Sequence, residues 1–92
     1  MTARPECFLV AVLLLIGCVT VTTQPLPSYR TKKEFLEVYK SGPDEVIQRA
    51  QDKPLKYGSD EMWVIKGVST EWRYYFKEEE LLAVDRVIYE TW

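Results

Sequence analysis

The sequence predicts a small, mostly α-helical protein with one short extended segment. Thr31 and Glu34 have the spacing of a helix capping box and precede apolar residues. Glu78–Glu80 precede an apolar stripe at helical spacing. The apolar run Met62–Ile65 is too short for its periodicity to distinguish a strand from a buried turn. We predict that this run is an extended segment ending at Gly67.

Two helices are predicted in the first half of the mature chain. The Thr31 hydroxyl can accept a hydrogen bond from the Glu34 amide while Glu34 reaches back, which favours a helix over 32–40. Pro43 suits the first position of another short helix, after the Ser-Gly pair that ends the first one. The apolar stripe of this second helix consists of Val46, Ile47 and Ala50.

The second half is predicted to contain a loop, a short turn and a final helix. The segment 52–60 carries Pro54 and Gly58 and is typical of a loop. Ser69 or Thr70 is predicted to cap a short turn that runs through 72–76. The last helix is predicted to begin at Glu78–Glu80, where the helix dipole favours carboxylates. Its apolar stripe consists of Leu81, Val84, Val87 and Ile88.

The first 23 residues have the pattern of a secretory signal peptide. Arg4 precedes an apolar run of 14 residues, Phe8–Val21, which is long enough for a signal core and short for a bilayer span. Cleavage is predicted between Gly17 and Gln24, and the sequence does not single out one bond. An uncleaved signal anchor and a lipid attachment at Cys18 are the alternatives. The interpretation predicts secretion and no membrane association after cleavage.

Three segments follow from this interpretation: the signal peptide at 1–23, a proline-containing linker at 24–30, and a small helical unit at 31–92. Both cysteines, Cys7 and Cys18, lie in the first segment, so a mature chain without disulfides is predicted. The chain has no histidine, which argues against a zinc site and against histidine-based catalysis. Its net charge of -2 argues against nucleic-acid binding. An aromatic content of 13% predicts a chain that folds.

Two stretches of the sequence carry a family resemblance. The first is Lys66-Gly67 followed by Trp72-Arg73, Phe76 and later Val84-Asp85. The second is Leu36–Pro43, which lies upstream at about the corresponding interval. Together they resemble the C-terminal signature of the cytosolic-type sulfotransferases, over about Leu36 to Tyr89.

The resemblance implies the C-terminal piece of an α/β fold with a parallel sheet. It implies that Lys66 and Gly67 contact the 3′-phosphate of 3′-phosphoadenosine 5′-phosphosulfate, with Trp72, Phe76 and Asp85 as framework. Ile65 stands where the family has an arginine, so the implied nucleotide affinity is weak. The family's phosphosulfate loop and catalytic histidine are absent from this sequence, so no catalytic residue is assigned and no sulfate transfer by the chain alone is expected.

The competing prediction is a small secreted binding or peptide-like protein, unrelated to sulfotransferases, whose partner is a nucleotide or another polypeptide.

Several features allow two interpretations. Trp63 and Trp72 suit either stacking on a flat ligand or a core. Glu78–Glu80 suit either paired carboxylates or a solvated helix turn. Lys32–Lys33 suits either a dibasic processing site or a helix start, and the Leu81, Val84, Ile88 stripe suits either a partner helix or the core.

Overall fold

The computed structural model describes residues 18–90, which form a five-stranded antiparallel sheet and one short helix. The strand order is β1-β5-β4-β3-β2, so the last four strands form a meander and β1 pairs with the last of them. The chain between β1 and β2 carries the helix across one face of the sheet. The elements are β1 (Cys18–Gln24), α1 (Lys32–Val38), β2 (Glu45–Gln48), β3 (Glu61–Lys66), β4 (Thr70–Lys77) and β5 (Glu80–Glu90), with a 3-10 turn at Lys56–Gly58.

The predicted fold class is wrong in both of its forms. The described residues are mostly β-strand rather than helical, and every strand pair among them is antiparallel, which overturns the parallel α/β sheet implied by the sulfotransferase resemblance. The predicted final helix is strand β5, which lies between β1 and β4 and is buried on both faces. A strand buried on both faces has apolar residues at almost every position, and these also match helical spacing.

The glutamates at 78–80 lie at a hairpin instead of a helix start. Lys77 pairs with Glu80, so Glu78 and Glu79 form the loop between β4 and β5. Glu78 has a φ of 54°, in the left-handed region, and its N–H donates to the Asp60 carboxylate at 2.9 Å. This hydrogen bond holds the reversal of the chain in place.

Two further predictions of helical structure are wrong. The segment predicted as a helix from Pro43 contains β2, where Val46 pairs with Trp63 of β3. The turn predicted through 72–76 is part of β4. Short, isolated helices are unstable because helix nucleation is unfavourable, whereas strand pairing gives these backbones hydrogen bonds to neighbouring strands.

The helix at 32–40 and the extended segment ending at Gly67 are confirmed as α1 and β3, with the helix two residues shorter than predicted. Thr31 Oγ1 accepts from the Glu34 N–H at 3.1 Å, while the Glu34 carboxylate reaches back to the Arg30 N–H at 2.8 Å. The Lys32 N–H donates to the Glu79 carbonyl at 3.0 Å. The start of α1 is therefore fixed to the β4–β5 hairpin.

The sheet has two faces with separate cores. The helix face is the one that α1 covers, and its buried residues are Phe35, Trp63, Tyr74, Phe76, Leu81 and Val84. The opposite face has a smaller core of Met62, Val64, Tyr75 and Ala83, with Ile47 and Leu55 packed against it. Alternate residues of β3 and β4 go to alternate faces, as the strand period of two requires.

Phe35 is the centre of the helix-face core. Its side chain is completely inaccessible to solvent. Its ring contacts five other aromatic rings at centroid distances of 4.8–6.1 Å, mostly edge to face. These rings belong to Tyr29, Tyr39, Trp63, Tyr74 and Phe76. One side chain thus joins the helix to two strands and to the segment before the helix.

Asp85 anchors the 3-10 turn to the opposite face. Its carboxylate is fully buried and accepts hydrogen bonds from Lys56 Nζ and Tyr57 Oη, both at 2.8 Å. Burial raises the pKa of Asp85, but the Lys56 and Tyr57 hydrogen bonds outweigh it and hold the pKa below its usual value. The hydrogen bond with Asp85 in turn raises the pKa of Lys56. Tyr57 reaches this position through a backbone φ of 62°.

The end of the predicted signal peptide is part of the sheet. Residues 18–23 form most of β1 and pair with β5 from Glu90 to Asp85. The rest of the predicted signal peptide lies outside the described residues, and cleavage stays a prediction. Cys18 is disulfide-bonded. The expected lack of disulfides concerns the chain after cleavage and stays a prediction.

Replacing Phe35 with alanine is expected to lower the free energy of unfolding by about 3–5 kcal/mol, because it leaves a cavity among five rings. Leu36→Ala is the control: the neighbouring side chain is 42% exposed, and about 0.5 kcal/mol is expected. Urea unfolding followed by circular dichroism measures both. If Phe35→Ala does not fold, Phe35→Leu is measured instead, with a loss of about 1.5 kcal/mol expected. Equal losses for Phe35 and Leu36 would contradict the central role of Phe35.

Lys56→Ala is expected to destabilise the protein by about 1–3 kcal/mol at neutral pH, because the buried Asp85 carboxylate loses a hydrogen-bond donor. The contribution of Asp85 is present above its usual pKa of 3.8 and is lost as the pH falls through the lowered folded value. The contribution of Lys56 is present below 10.5 and is lost above the raised folded value. The difference in melting temperature between wild type and variant should therefore shrink below about pH 4 and above about pH 10. Lys53→Ala, at an exposed lysine of the same loop, should show no such dependence.

Candidate functional site

Lys66 and Gly67, the predicted nucleotide contacts, lie at the hairpin between β3 and β4. Lys66 is the last residue of β3, and the Gly67 N–H donates to the Thr70 carbonyl at 2.9 Å. A Cβ atom at Gly67 would lie 2.9 Å from Thr70 Oγ1, so the absence of a side chain allows this tight turn. Val68 forms the tip of the hairpin and is 93% exposed.

The surroundings of Lys66 are acidic. The Lys66 N–H donates to the Asp44 carboxylate at 2.6 Å, and Lys66 Nζ lies 3.4 Å from the Glu45 carboxylate. Two carboxylates beside the hairpin repel a phosphate group and occupy the donors that it would use. The role of Lys66 and Gly67 in nucleotide binding stays a prediction, and the geometry gives it no support beyond the single ammonium group.

The other residues of the sulfotransferase-like signature are separated by the fold. Trp72 and Phe76 lie on the helix face, while Asp85 lies on the opposite face with Lys56. Trp63 packs in the helix-face core against Phe35 and Phe76. The signature thus does not converge on one site in this sheet.

A pocket of about 150 Å³ lies on the helix face, where the segment after β1 crosses the sheet. We call it the tyrosine pocket. A cavity of this size lined by apolar groups holds one benzene-sized ring. Its walls are mainly aromatic and apolar and consist of Gln24, Pro25, Pro27, Tyr29, Trp72, Tyr74 and Val84.

Two tyrosines that line the tyrosine pocket, Tyr29 and Tyr74, belong to a cluster of three hydroxyls whose third member is Tyr39. Tyr74 Oη lies 3.2 Å from Tyr29 Oη and 3.3 Å from Tyr39 Oη. Burial raises the pKa values of both Tyr74 and Tyr29 above the usual value near 10. The Tyr29 and Tyr74 hydroxyls are therefore neutral at physiological pH and can both donate and accept hydrogen bonds.

Arg86 adds a positive charge beside the pocket. Its guanidinium carbon lies 5.3 Å from the centre of the Trp72 ring, and Trp72 lines the pocket. Arg86 Nε is buried and has no hydrogen-bond partner. An aromatic ring stabilises a cation at this distance but does not replace a hydrogen-bond acceptor.

The sequence analysis did not identify Tyr29, Tyr74 or Arg86 as site residues. Tyr29 falls in the segment predicted to be a linker, and Tyr74 falls in a predicted turn. The period-two series Trp72, Tyr74, Phe76 was the available signal, since such a series puts three aromatic rings on one face of a strand. That face is the helix face of the structure.

Residues 18–90 contain no group of three or more histidine, cysteine or acidic side chains placed to hold a metal ion. The one α-helix in that range is too short to span a bilayer. Comparisons with known proteins returned no match to a family model, to a curated protein or to a solved structure.

Titration with 3′-phosphoadenosine 5′-phosphate tests the predicted nucleotide contact directly. We expect the backbone amide signals of Lys66 and Gly67 to stay unchanged in two-dimensional NMR spectra, because the Asp44 and Glu45 carboxylates oppose a bound phosphate. A saturable shift of both signals that is lost in Lys66→Ala, and kept in the control Lys40→Ala, would instead support the contact implied by the resemblance.

Proposed function

We propose that the protein is a small-molecule binding protein and that the tyrosine pocket is its binding site. The observation that carries the proposal is a mostly apolar pocket of about 150 Å³, two of whose lining residues are tyrosines with hydrogen-bonded hydroxyls. Concave, mostly apolar pockets with a few convergent polar groups are typical of small-molecule sites. The proposal agrees with the prediction of a small binding protein unrelated to sulfotransferases.

The dimensions and lining of the pocket set the ligand class. Trp72, Tyr29 and two prolines present flat or rigid surfaces, which favour a planar ring. The volume admits one six-membered ring with a short substituent. The Tyr29 and Tyr74 hydroxyls can bind a polar atom of the ligand as donor or acceptor.

The site favours binding over catalysis. A nucleophile needs a base within hydrogen-bond reach, and general acid–base catalysis needs a pKa near the working pH. The titratable groups that line the pocket are Tyr29 and Tyr74, and burial moves their pKa values away from neutrality. These tyrosines orient a ligand by hydrogen bonds.

Phenylacetamide, a neutral ring with a short polar substituent, is expected to bind in the tyrosine pocket. About ten non-hydrogen atoms at roughly 0.5 kcal/mol each give a dissociation constant on the order of 0.1–1 mM. NMR titration should show saturable shifts at residues lining the pocket and none at the β3–β4 hairpin.

Val84→Phe should abolish this binding, because the larger side chain fills the pocket from β5. Val68→Phe, the same substitution at the exposed hairpin tip, is the matched control and should bind normally. If Val84→Phe lowers the melting temperature markedly, Gln24→Phe fills the pocket from the neighbouring strand β1 instead. Absence of saturable shifts in the wild type, or unchanged binding in both filled variants, would disprove the proposed site.

A further inference from the structure

We infer that Arg86 is the anion-binding group of the tyrosine pocket, so that the ligands of the protein are small aromatic carboxylates. The inference rests on the proposed function and names the chemical class of its ligand. It depends on three observations: the position of Arg86, the lack of a hydrogen-bond acceptor for its Nε, and its contact with the Trp72 ring, which also lines the pocket.

The strand register places Arg86 next to the pocket on the same face. Arg86 pairs with Trp72 on β4, and Val84, two residues earlier on β5, pairs with Tyr74. Trp72, Tyr74 and Val84 all line the pocket. On the other side Arg86 pairs with Thr22 of β1, while Val84 pairs with Gln24, another lining residue. Arg86 therefore lies on the same face of the sheet as the pocket, two residues beyond the lining residue Val84.

The charge of Arg86 has no carboxylate partner in the described part of the chain. Its cross-strand neighbours Trp72 and Thr22 carry no charge, and no ion pair joins Arg86 to any residue among 18–90. Its Nε is inaccessible to solvent as well as unpaired. A buried charged donor without an acceptor is unfavourable, and this cost is relieved when a ligand supplies the acceptor.

Arg73, an arginine on the opposite face of the same sheet, does have a carboxylate partner. Arg73 Nε donates to the Glu71 carboxylate at 2.6 Å, so its guanidinium already has an acceptor. Asp85, the residue before Arg86, is likewise bound by Lys56 and Tyr57. The missing acceptor is thus on the pocket side of the sheet, where Arg86 as a whole is only partly buried.

The geometry selects a carboxylate attached to a ring. A guanidinium binds a carboxylate through two parallel hydrogen bonds. The Trp72 ring contacts Arg86 and also forms a wall of the pocket, so a ring in the pocket and a carboxylate on Arg86 lie within one small molecule. The cavity of about 150 Å³ limits the apolar part to a single ring.

The test compares phenylacetate with phenylacetamide, which have nearly the same shape and differ in charge at pH 7. For the wild type we expect about tenfold tighter binding of phenylacetate, the gain typical of a hydrogen bond to a charged group. Arg86→Gln should reduce this preference to less than about twofold, mainly by weakening the binding of phenylacetate. Arg86→Lys, which keeps the charge but not the paired donors, should give an intermediate preference.

Arg49→Gln is the matched control. Arg49 is exposed and directly follows β2, the edge strand at the opposite end of the sheet from β1. It should retain the full preference for phenylacetate. A circular dichroism spectrum and a melting temperature close to those of the wild type show that Arg86→Gln is folded, and Arg86→Lys is a second test of the anion contact.

The outcomes separate the two proposals. Equal binding of the two ligands to the wild type, or a phenylacetate preference that persists in Arg86→Gln, overturns the role of Arg86 and leaves the proposed binding function in place. Binding of neither ligand overturns both. A preference that is present in the wild type, lost in Arg86→Gln and kept in Arg49→Gln supports both.

Discussion

The structure depends on one ring, that of Phe35. A five-stranded sheet must bury apolar residues on two faces, yet the described chain supplies one helix of seven residues to cover the helix face. Phe35 compensates for this short helix by contacting five aromatic rings from three parts of the chain. Since Tyr29 and Tyr74 are among them, the same contacts that hold the helix on the sheet fix two walls of the tyrosine pocket.

Local signals predicted the elements that local interactions determine. The capping box of Thr31 and Glu34 identified α1, because its hydrogen bonds join residues at most four apart. The short run 62–65 identified β3 by its length and flanking residues. Strand β5 escaped prediction because burial on both faces removed the alternation that distinguishes a strand, and its residues at 81, 84 and 88 matched a helical period. The β-branched residues at 84, 87 and 88 favour a strand, and pairing with β1 and β4 stabilises that strand.

The candidate site was not predictable because its walls are distant in sequence. One wall comes from residues 24–29 and the other from 72–84, and the pairing of β1 with β5 and the contacts of Phe35 bring them together. The resemblance was based on the order of residues along the sequence, which does not show the face of the sheet on which each residue lies. Successive residues of a strand point to opposite faces. Trp72 and Asp85, both in the sulfotransferase-like signature, end up on different faces for this reason.

The two faces of β5 differ in how they treat charge. Asp85 and Arg86 are consecutive, so they point to opposite faces. Asp85 is bound within the protein by Lys56 and Tyr57, whereas Arg86 meets an aromatic ring and no acceptor. A protein that needed both charges only for its fold would gain stability by pairing both. Asp85 thus stabilises the fold, whereas the unpaired Arg86 Nε is the feature on which the proposed ligand contact rests.

The retention of β1 decides whether the pocket and the predicted secretion are compatible. Strand β1 pairs with β5 through residues 18–24, and Gln24 forms part of the pocket wall. Cleavage after Thr23 would remove nearly all of this strand and leave β5 with an unpaired edge. Cleavage at the early end of the predicted range, at Gly17, would leave the strand intact. A secreted form that binds ligands through this pocket therefore requires the earlier cleavage site.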